Sequence, residues 1–351
     1  MIGPVPNKLG ILTGGGDCPG LNAVIRAVAR RSLERDYEIV GVREGWRGLV
    51  EGLFEPLGPR EISGLLPRGG TILGTTRTNP YRIEGGVEAV LGWFRDEEFD
   101  ALVAIGGEDT LGVAARLYEE HDFPVVGVPK TIDNDLSATD YTFGFDTAVS
   151  VATEAIDRLH TTAESHNRVM VVEVMGRQVG WIAVMSGIAG GADMILIPEQ
   201  PVTVERACEE IRHRHHRGKD FSIVVVSEGY ELKYESGETR TVAEEVRDQF
   251  GHVRLGGVGE VLAREIEERT GYETRVTVLG HVQRGGTPTP RDRVLATRYG
   301  LKAADLVNEE NFGRMAALHG DAIVDVSLEE ATAELKTVPK EWYDVASAFF
   351  G

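Results

Sequence analysis

Six short apolar, β-branched runs in this chain each end in a cluster of glycines and charged residues. TGGGDCPG follows Leu9–Leu12, IGGEDT closes Leu102–Ile105, and PKTIDND follows Val125–Val128. EVMGRQVG closes Val169–Val174, SEG follows Ile223–Val226, and GHVQRGG follows Val276–Leu279. Ile39–Val42 and Met194–Ile197 read as two further strands. The runs do not alternate apolar with polar residues, which is the pattern of strands covered by helices on both faces. Between the first two strands, Leu21, Val24, Ile25 and Val28 are spaced to face one side of a helix. Strand, loop and helix in this rotation predict an α/β fold with parallel sheets and right-handed crossovers. Ligands of open α/β sheets gather at the carboxyl ends of strands, so these clusters predict a binding cleft.

A chain of 351 residues is long for one such layer and predicts two domains. Its 42% apolar content is enough for two cores. The net charge of −19, from 37 basic and 56 acidic residues, argues against nucleic acid or an anionic membrane surface as the main partner. Phosphate ligands would need positive charge supplied locally, by the basic residues of the glycine-rich segments. No apolar run approaches the ~20 residues of a membrane span, and MIGPVPNKLG lacks the pattern of a signal peptide. Cys18 and Cys208 are the only cysteines and have no metal or redox spacing, which predicts a reducing, cytoplasmic setting.

Each cluster also has a plain structural reading. Thr13–Asn22 (TGGGDCPGLN) ends a strand and opens a helix, where glycines admit a phosphate to the helix N-terminus. A glycine triplet alone is as often a turn, and this one is neither a Walker A loop nor a GxGxxG dinucleotide loop. Arg77, in GGTILGTTRTNP, is a solvated loop arginine unless a phosphate lies near it. Glu108 and Asp109 fall where a helix should begin. One could serve as a cap, but two adjacent acids suit a hard cation shared with phosphates. Asp133 and Asp135 fit an Asx turn, or a carboxylate that takes the proton of a sugar hydroxyl. The histidines of RHRHHRG, His213, His215 and His216, read as a solvated helix face.

Taken in order and spacing, GGEDT, TIDND, EVMGR and LGHVQRGG resemble the phosphofructokinase A family, over about residues 8–310. The resemblance implies two Rossmann-like domains with mainly parallel sheets and an active-site cleft between them. Residues 1–145 with 283–333 would bind the phosphoryl donor, and 146–282 with 334–351 would bind fructose 6-phosphate. It implies Mg2+ held at Glu108, with Gly15, Asp109, Thr110 and Lys130 at the donor and Arg77 neutralising the transferring group. Asp133 would accept the proton of the sugar 1-hydroxyl. Thr131, Met175, Gly176, Arg177, Glu228, His281 and Arg284 would line the sugar-phosphate site. Arg168 and Arg275 would be donated by the neighbouring subunit of a homodimer or homotetramer.

Two positions depart from the ATP-using members, which have GGDGS and PGTIDND where this chain has GGEDT and PKTIDND. Both changes resemble the pyrophosphate-using members. An ATP α-phosphate near Asp109 would meet a like charge, worth about 4 kcal/mol at 4 Å and an effective dielectric of 20, or roughly a thousandfold in affinity. Lys130 adds a compact cation for the shorter donor. The competing readings are an ATP-dependent phosphofructokinase that tolerates Asp109, an NAD or lipid kinase with a GGDG-type loop, and an inactive sugar-phosphate sensor. TIDND, EVMGR and GHVQRGG speak against the kinases of other substrates, and Asp133 with Arg77 against the sensor.

Overall fold

The computed structural model describes residues 7–247, 250–251, 253–348 and 350. β1 (Lys8–Thr13) passes through the glycine loop into α1 (Leu21–Leu33). Then come β2 (Glu38–Val42), α2 (Trp46–Glu51), β3 (Phe54–Pro56), α3 (Gly86–Asp96), β4 (Ala101–Gly106), α4 (Glu108–His121), β5 (Val125–Thr131) and β6 (Phe143–Gly144). The long α5 (Phe145–His166) precedes β7 (Val169–Val174), α6 (Trp181–Ala189), β8 (Met194–Leu196), α7 (Val204–His216) and β9 (Ser222–Ser227). The short pairs β10 (Leu232–Lys233) with β11 (Thr239–Arg240) and β12 (Ala243–Arg247) with β13 (Val253–Leu255) lead to α8 (Val258–Thr270) and β14 (Thr274–Val278). The chain finishes with α9 (Pro290–Asn308), β15 (Arg314–His319), β16 (Ala322–Ser327), α10 (Leu328–Thr332) and α11 (Lys340–Ser347).

These elements form two compact units. The first holds the described residues up to Asp146, residues 250–251 and Arg284–Leu335. The second holds Thr147–Arg247, Val253–Gln283 and the described residues from Lys336 onward.

In the first unit the strand order, among the described residues, is β16-β15-β5-β4-β1-β2-β3, with β6 beside β5. The sheet is parallel except where β3 runs against β2 and β16 against β15. Leu12, Leu102, Ala104 and Val125 face a core closed by Trp46 and Leu49 of α2, Val90 of α3 and Leu111 and Leu117 of α4. Burying each such large side chain contributes about 1.5–3 kcal/mol relative to leaving it in water. α1 and α9 pack directly on one another. A Cβ on Gly300 would lie 2.7 Å from that of Ala27, so a larger residue there would push the two helices apart.

The second unit is built on the parallel sheet β14-β7-β9-β8. Val169, Val171, Val224 and Val226 bury one face against Cys208 and Ile211 of α7 and Leu262 and Ile266 of α8. Every strand expected from the apolar runs is present, and the sheets are mainly parallel as the run pattern predicts. β14 begins two residues before the expected Val276 and ends at Val278, because Thr274 and Arg275 already pair with Val169 and Met170.

Candidate active site

In the first unit β1, β4 and β5 are neighbours in register, Thr13 opposite Ile105 and Gly106 opposite Pro129. The loops that follow therefore meet at the carboxyl end of the sheet. The Gly14 N–H donates to the Ile105 carbonyl at 2.9 Å, and a Cβ on Gly14 would lie 2.5 Å from Thr110 Oγ1. Gly15 adopts a left-handed φ of 79°. A Cβ there would stand 3.4 Å from Lys130 Nζ and 3.7 Å from Thr110 Oγ1, filling the space between them. Its N–H already donates to the Thr76 carbonyl at 3.1 Å, and its carbonyl accepts from the Thr75 hydroxyl at 2.6 Å. Gly15 thus supplies room for a ligand rather than a free N–H. The same bonds fasten the segment carrying the exposed Arg77 to the glycine loop.

Lys130 is 4% exposed, and its ammonium donates to the Gly16 carbonyl. Burial pushes its pKa below the ordinary lysine value and the Arg284 charge adds to this, while Cys18, Asp133 and Asp135 pull it back up. The Arg284 guanidinium donates to the Asp17 carbonyl at 3.2 Å, which brings it to the glycine loop in the first unit.

As the residues predicted, α4 starts within GGEDT: Gly107 is its N-cap, and Glu108 and Asp109 occupy the first turn. Carboxylates in that position favour the helix dipole, and the N-cap glycine supplies no side-chain cap. Both line a cavity of about 270 Å3, together with Asn79, Tyr81, Arg116 and Phe250. The Arg116 guanidinium lies 3.8 Å over the Tyr81 ring and pairs with Glu120 at 2.7 Å.

Asp133 is 3% exposed. Its N–H donates to Thr131 Oγ1 at 3.0 Å, and among the described residues its Oδ1 has no hydrogen-bond partner. A buried carboxylate oxygen left without a protein donor is costly unless a ligand supplies one. No group of three or more His, Cys, Asp or Glu among the described residues forms a metal cage. An exposed Glu108 beside Asp109 instead fits Mg2+, which takes one or two carboxylates and completes its shell with phosphate oxygens and water.

In the second unit the loops after β7 and β9 interlock. The Arg177 N–H donates to Glu228 Oε1 at 3.1 Å, and the Glu228 N–H to the Val174 carbonyl at 2.8 Å. Any Cβ on Gly229 would collide with the Arg177 carbonyl, 1.7 Å away. This brings Met175, Gly176 and Arg177 to Glu228, with the exposed His281 on the turn after β14. Arg168 and Arg275 are not part of this group. They sit at the amino ends of β7 and β14, and seven strand steps of about 3.3 Å separate Arg168 from Met175 by roughly 23 Å. There both arginines bind Glu273, a residue that motif reading passed over although it lies two places before Arg275. The histidine face is only partly solvated: His213 and His216 are exposed, but His215 stacks on Tyr272 at 3.9 Å, and burial lowers its pKa.

A model of the phosphofructokinase family matches residues 8–307. A pyrophosphate–fructose 6-phosphate 1-phosphotransferase of Amycolatopsis methanolica is 60% identical over 345 residues, 98% of this chain and all of the relative. An ATP-dependent 6-phosphofructokinase of Mycobacterium leprae is 53% identical over 346 residues, again 98% of this chain and all of the relative. The crystal structure of a pyrophosphate-dependent phosphofructokinase from Nitrosospira multiformis superposes with a TM-score of 0.82 at 21% identity, covering 96% of this chain and 86% of the other. It shares the fold.

Proposed function

The chain belongs to the phosphofructokinase family, and from that membership we propose that it transfers a phosphoryl group from pyrophosphate to the 1-hydroxyl of fructose 6-phosphate, giving fructose 1,6-bisphosphate and phosphate. The observation that carries the donor assignment is Lys130, a buried cation whose ammonium lies against the glycine loop beside the space that Gly15 leaves open. A preorganised cation in a site without water stabilises charge on a transferring phosphoryl group at little reorganisation cost. Asp109 in the first turn of α4 opposes the α-phosphate of a nucleotide donor. The relative named for pyrophosphate, at 60% identity, supports the same donor.

The first unit is the donor unit in this reading. Gly15, Asp109, Thr110 and Lys130 hold pyrophosphate, Arg77 neutralises the transferring group, and Glu108 holds Mg2+ together with the donor phosphates. The ion, when bound, supplies charge neutralisation across those phosphates. Asp133 takes the proton from the 1-hydroxyl, and Thr131 and Arg284 belong to the sugar-phosphate set. The second unit contributes Met175, Gly176, Arg177, Glu228 and His281. The separation of Arg168 and Arg275 from that group supports their service to the site of another subunit, in a cytoplasmic homodimer or homotetramer. Steady-state kinetics with pyrophosphate and ATP side by side tests the donor. A parent enzyme that prefers ATP sinks the pyrophosphate reading and leaves the ATP-dependent one, which the 53%-identical relative represents.

A further inference from the structure

Asn134, between the two aspartates of TIDND, is 1% exposed and holds a left-handed φ of 53°. Asparagine tolerates that conformation better than most residues, so the backbone alone gives one reason for it. Its carboxamide gives a second. Oδ1 accepts the Thr142 N–H at 3.1 Å and faces the Thr142 hydroxyl at 3.4 Å. That hydroxyl, fully buried, donates to the Thr131 carbonyl at 2.9 Å. The loop is thereby closed on itself through Thr142 just before β6 pairs with Lys130 and Thr131.

Asp133 lies inside this closure. Its Oδ1 has no protein donor among the described residues, so no partner there sets the direction of that oxygen. The main chain has to do it. On the amino side the Asp133 N–H is held by Thr131 Oγ1, and on the carboxyl side the next residue is held by Thr142. We propose that Asn134 is a positioning residue, whose carboxamide bond to Thr142 fixes the main chain so that the Asp133 carboxylate meets the sugar hydroxyl. Proton transfer in the transition state tolerates little misplacement of the base, so loss of the link should appear in kcat before it appears in binding. The inference rests on Asp133 as the base.

The test compares Asn134→Gly, Asn134→Ser, Thr142→Val, Thr142→Ser and Asp133→Asn for kcat, for KM of fructose 6-phosphate and for melting temperature. Glycine accepts the left-handed φ, so Asn134→Gly removes the carboxamide without backbone strain. It should lower kcat about 10–100-fold with KM for the sugar within about threefold. Thr142→Val should lower kcat less, and Thr142→Ser should retain it. Thr142→Val is the milder change because it keeps the N–H that Asn134 accepts and removes the hydroxyl bond to the Thr131 carbonyl. An Asn134→Gly enzyme with kcat within about threefold of the parent overturns the proposal. If Asn134→Gly fails to fold, a folded Asn134→Ser with parental kcat overturns it equally, since serine lacks the carboxamide that accepts the Thr142 N–H. Asp133→Asn separates the two levels of the argument. Parental kcat in that variant removes the base assignment itself, whereas an impaired Asp133→Asn beside a normal Asn134→Gly removes only the role of Asn134.

Discussion

Glu273 holds the Arg168 guanidinium at 2.8 Å, at the end of β7 opposite Met175. The same carboxylate binds Arg275, and the hydrogen bond from Arg168, with the charges of both arginines, keeps its pKa below the usual glutamate value. Two arginines held side by side by one carboxylate form a forked cationic site that a phosphate could share or take over. A single chain presents that fork at the end of the sheet opposite its own Met175–Arg177 loop, the separation on which the proposal of a site shared between subunits rests.

The first prediction follows from this separation. An Arg168→Ala enzyme and an Asp133→Asn enzyme should each be nearly inactive with the sugar phosphate. Mixed oligomers of the two should regain activity, because some sites then draw a normal arginine from one subunit and a normal aspartate from the other. Verified mixed oligomers that recover nothing would exclude shared sites.

Asp133→Asn by itself keeps the size and buried position of the side chain and removes its ability to take a proton. Its kcat should fall about 10²–10⁴-fold, with fructose 6-phosphate affinity within severalfold of the parent. Rapid-quench and steady-state kinetics measure both, and near-normal turnover removes Asp133 from the mechanism.

Lys130 gives a pH dependence with a definite sign. Burial lowers its pKa from 10.5 in the folded protein, with Arg284 adding to the effect. Between the lowered value and 10.5 the unfolded chain therefore binds more protons than the folded one, and stability rises with pH across that window. Below the window both states are protonated and the burial penalty is fully present. Relative to the parent, Lys130→Met should gain most at neutral pH, and its melting-temperature difference should shrink as pH rises toward the ordinary lysine value. Pyrophosphate held at Lys130, as proposed, reverses the preference by favouring the ammonium, so donor binding should take up a proton in the same window and weaken as pH rises. Thermal melts and calorimetry in two buffers of different ionisation enthalpy measure the two effects. A melting difference independent of pH would show that Lys130 keeps its normal pKa.

The strands that carry the site were legible because buried parallel strands must be apolar throughout, and Leu102–Ile105 or Val125–Val128 can be little else. β15 was not, because RMAALH contains no β-branched residue and reads as well for a helix. GGEDT announced the start of α4, since glycines before two acids mark a helix N-terminus. Motif spacing carried the chemistry-bearing residues but not their holders. Glu273 lies two places from Arg275 but far along the chain from Arg168, and Thr142 lies eight and eleven places from Asn134 and Thr131. Only the fold of β14 and of the TIDND loop brings these contacts together. Nor could the sequence show that the Gly15 N–H is already taken by Thr76, which changes what the glycine offers a phosphate.

The donor switch puts the electrostatic argument at greatest risk. Asp109 sits in the first turn of α4, on the wall of the cavity that it shares with Tyr81 and Arg116. In the proposed site, a donor longer than pyrophosphate carries its extra phosphate past that carboxylate. Asp109→Gly should therefore admit ATP, and should weaken pyrophosphate use by loosening the start of the helix beside Glu108. Lys130→Gly should damage the pyrophosphate reaction separately, at a cost of about 2–4 kcal/mol in the transition state, since it removes the buried cation beside the glycine loop. In the proposed site both residues act on one phosphate chain, so their effects should not add. The measurement is kcat/KM with each donor for the parent, the two single variants and the double variant. If Asp109→Gly leaves the ratio between donors unchanged, charge at that position does not decide the donor. The stacked Tyr81 and Arg116 that line the same cavity would then be the next groups to vary.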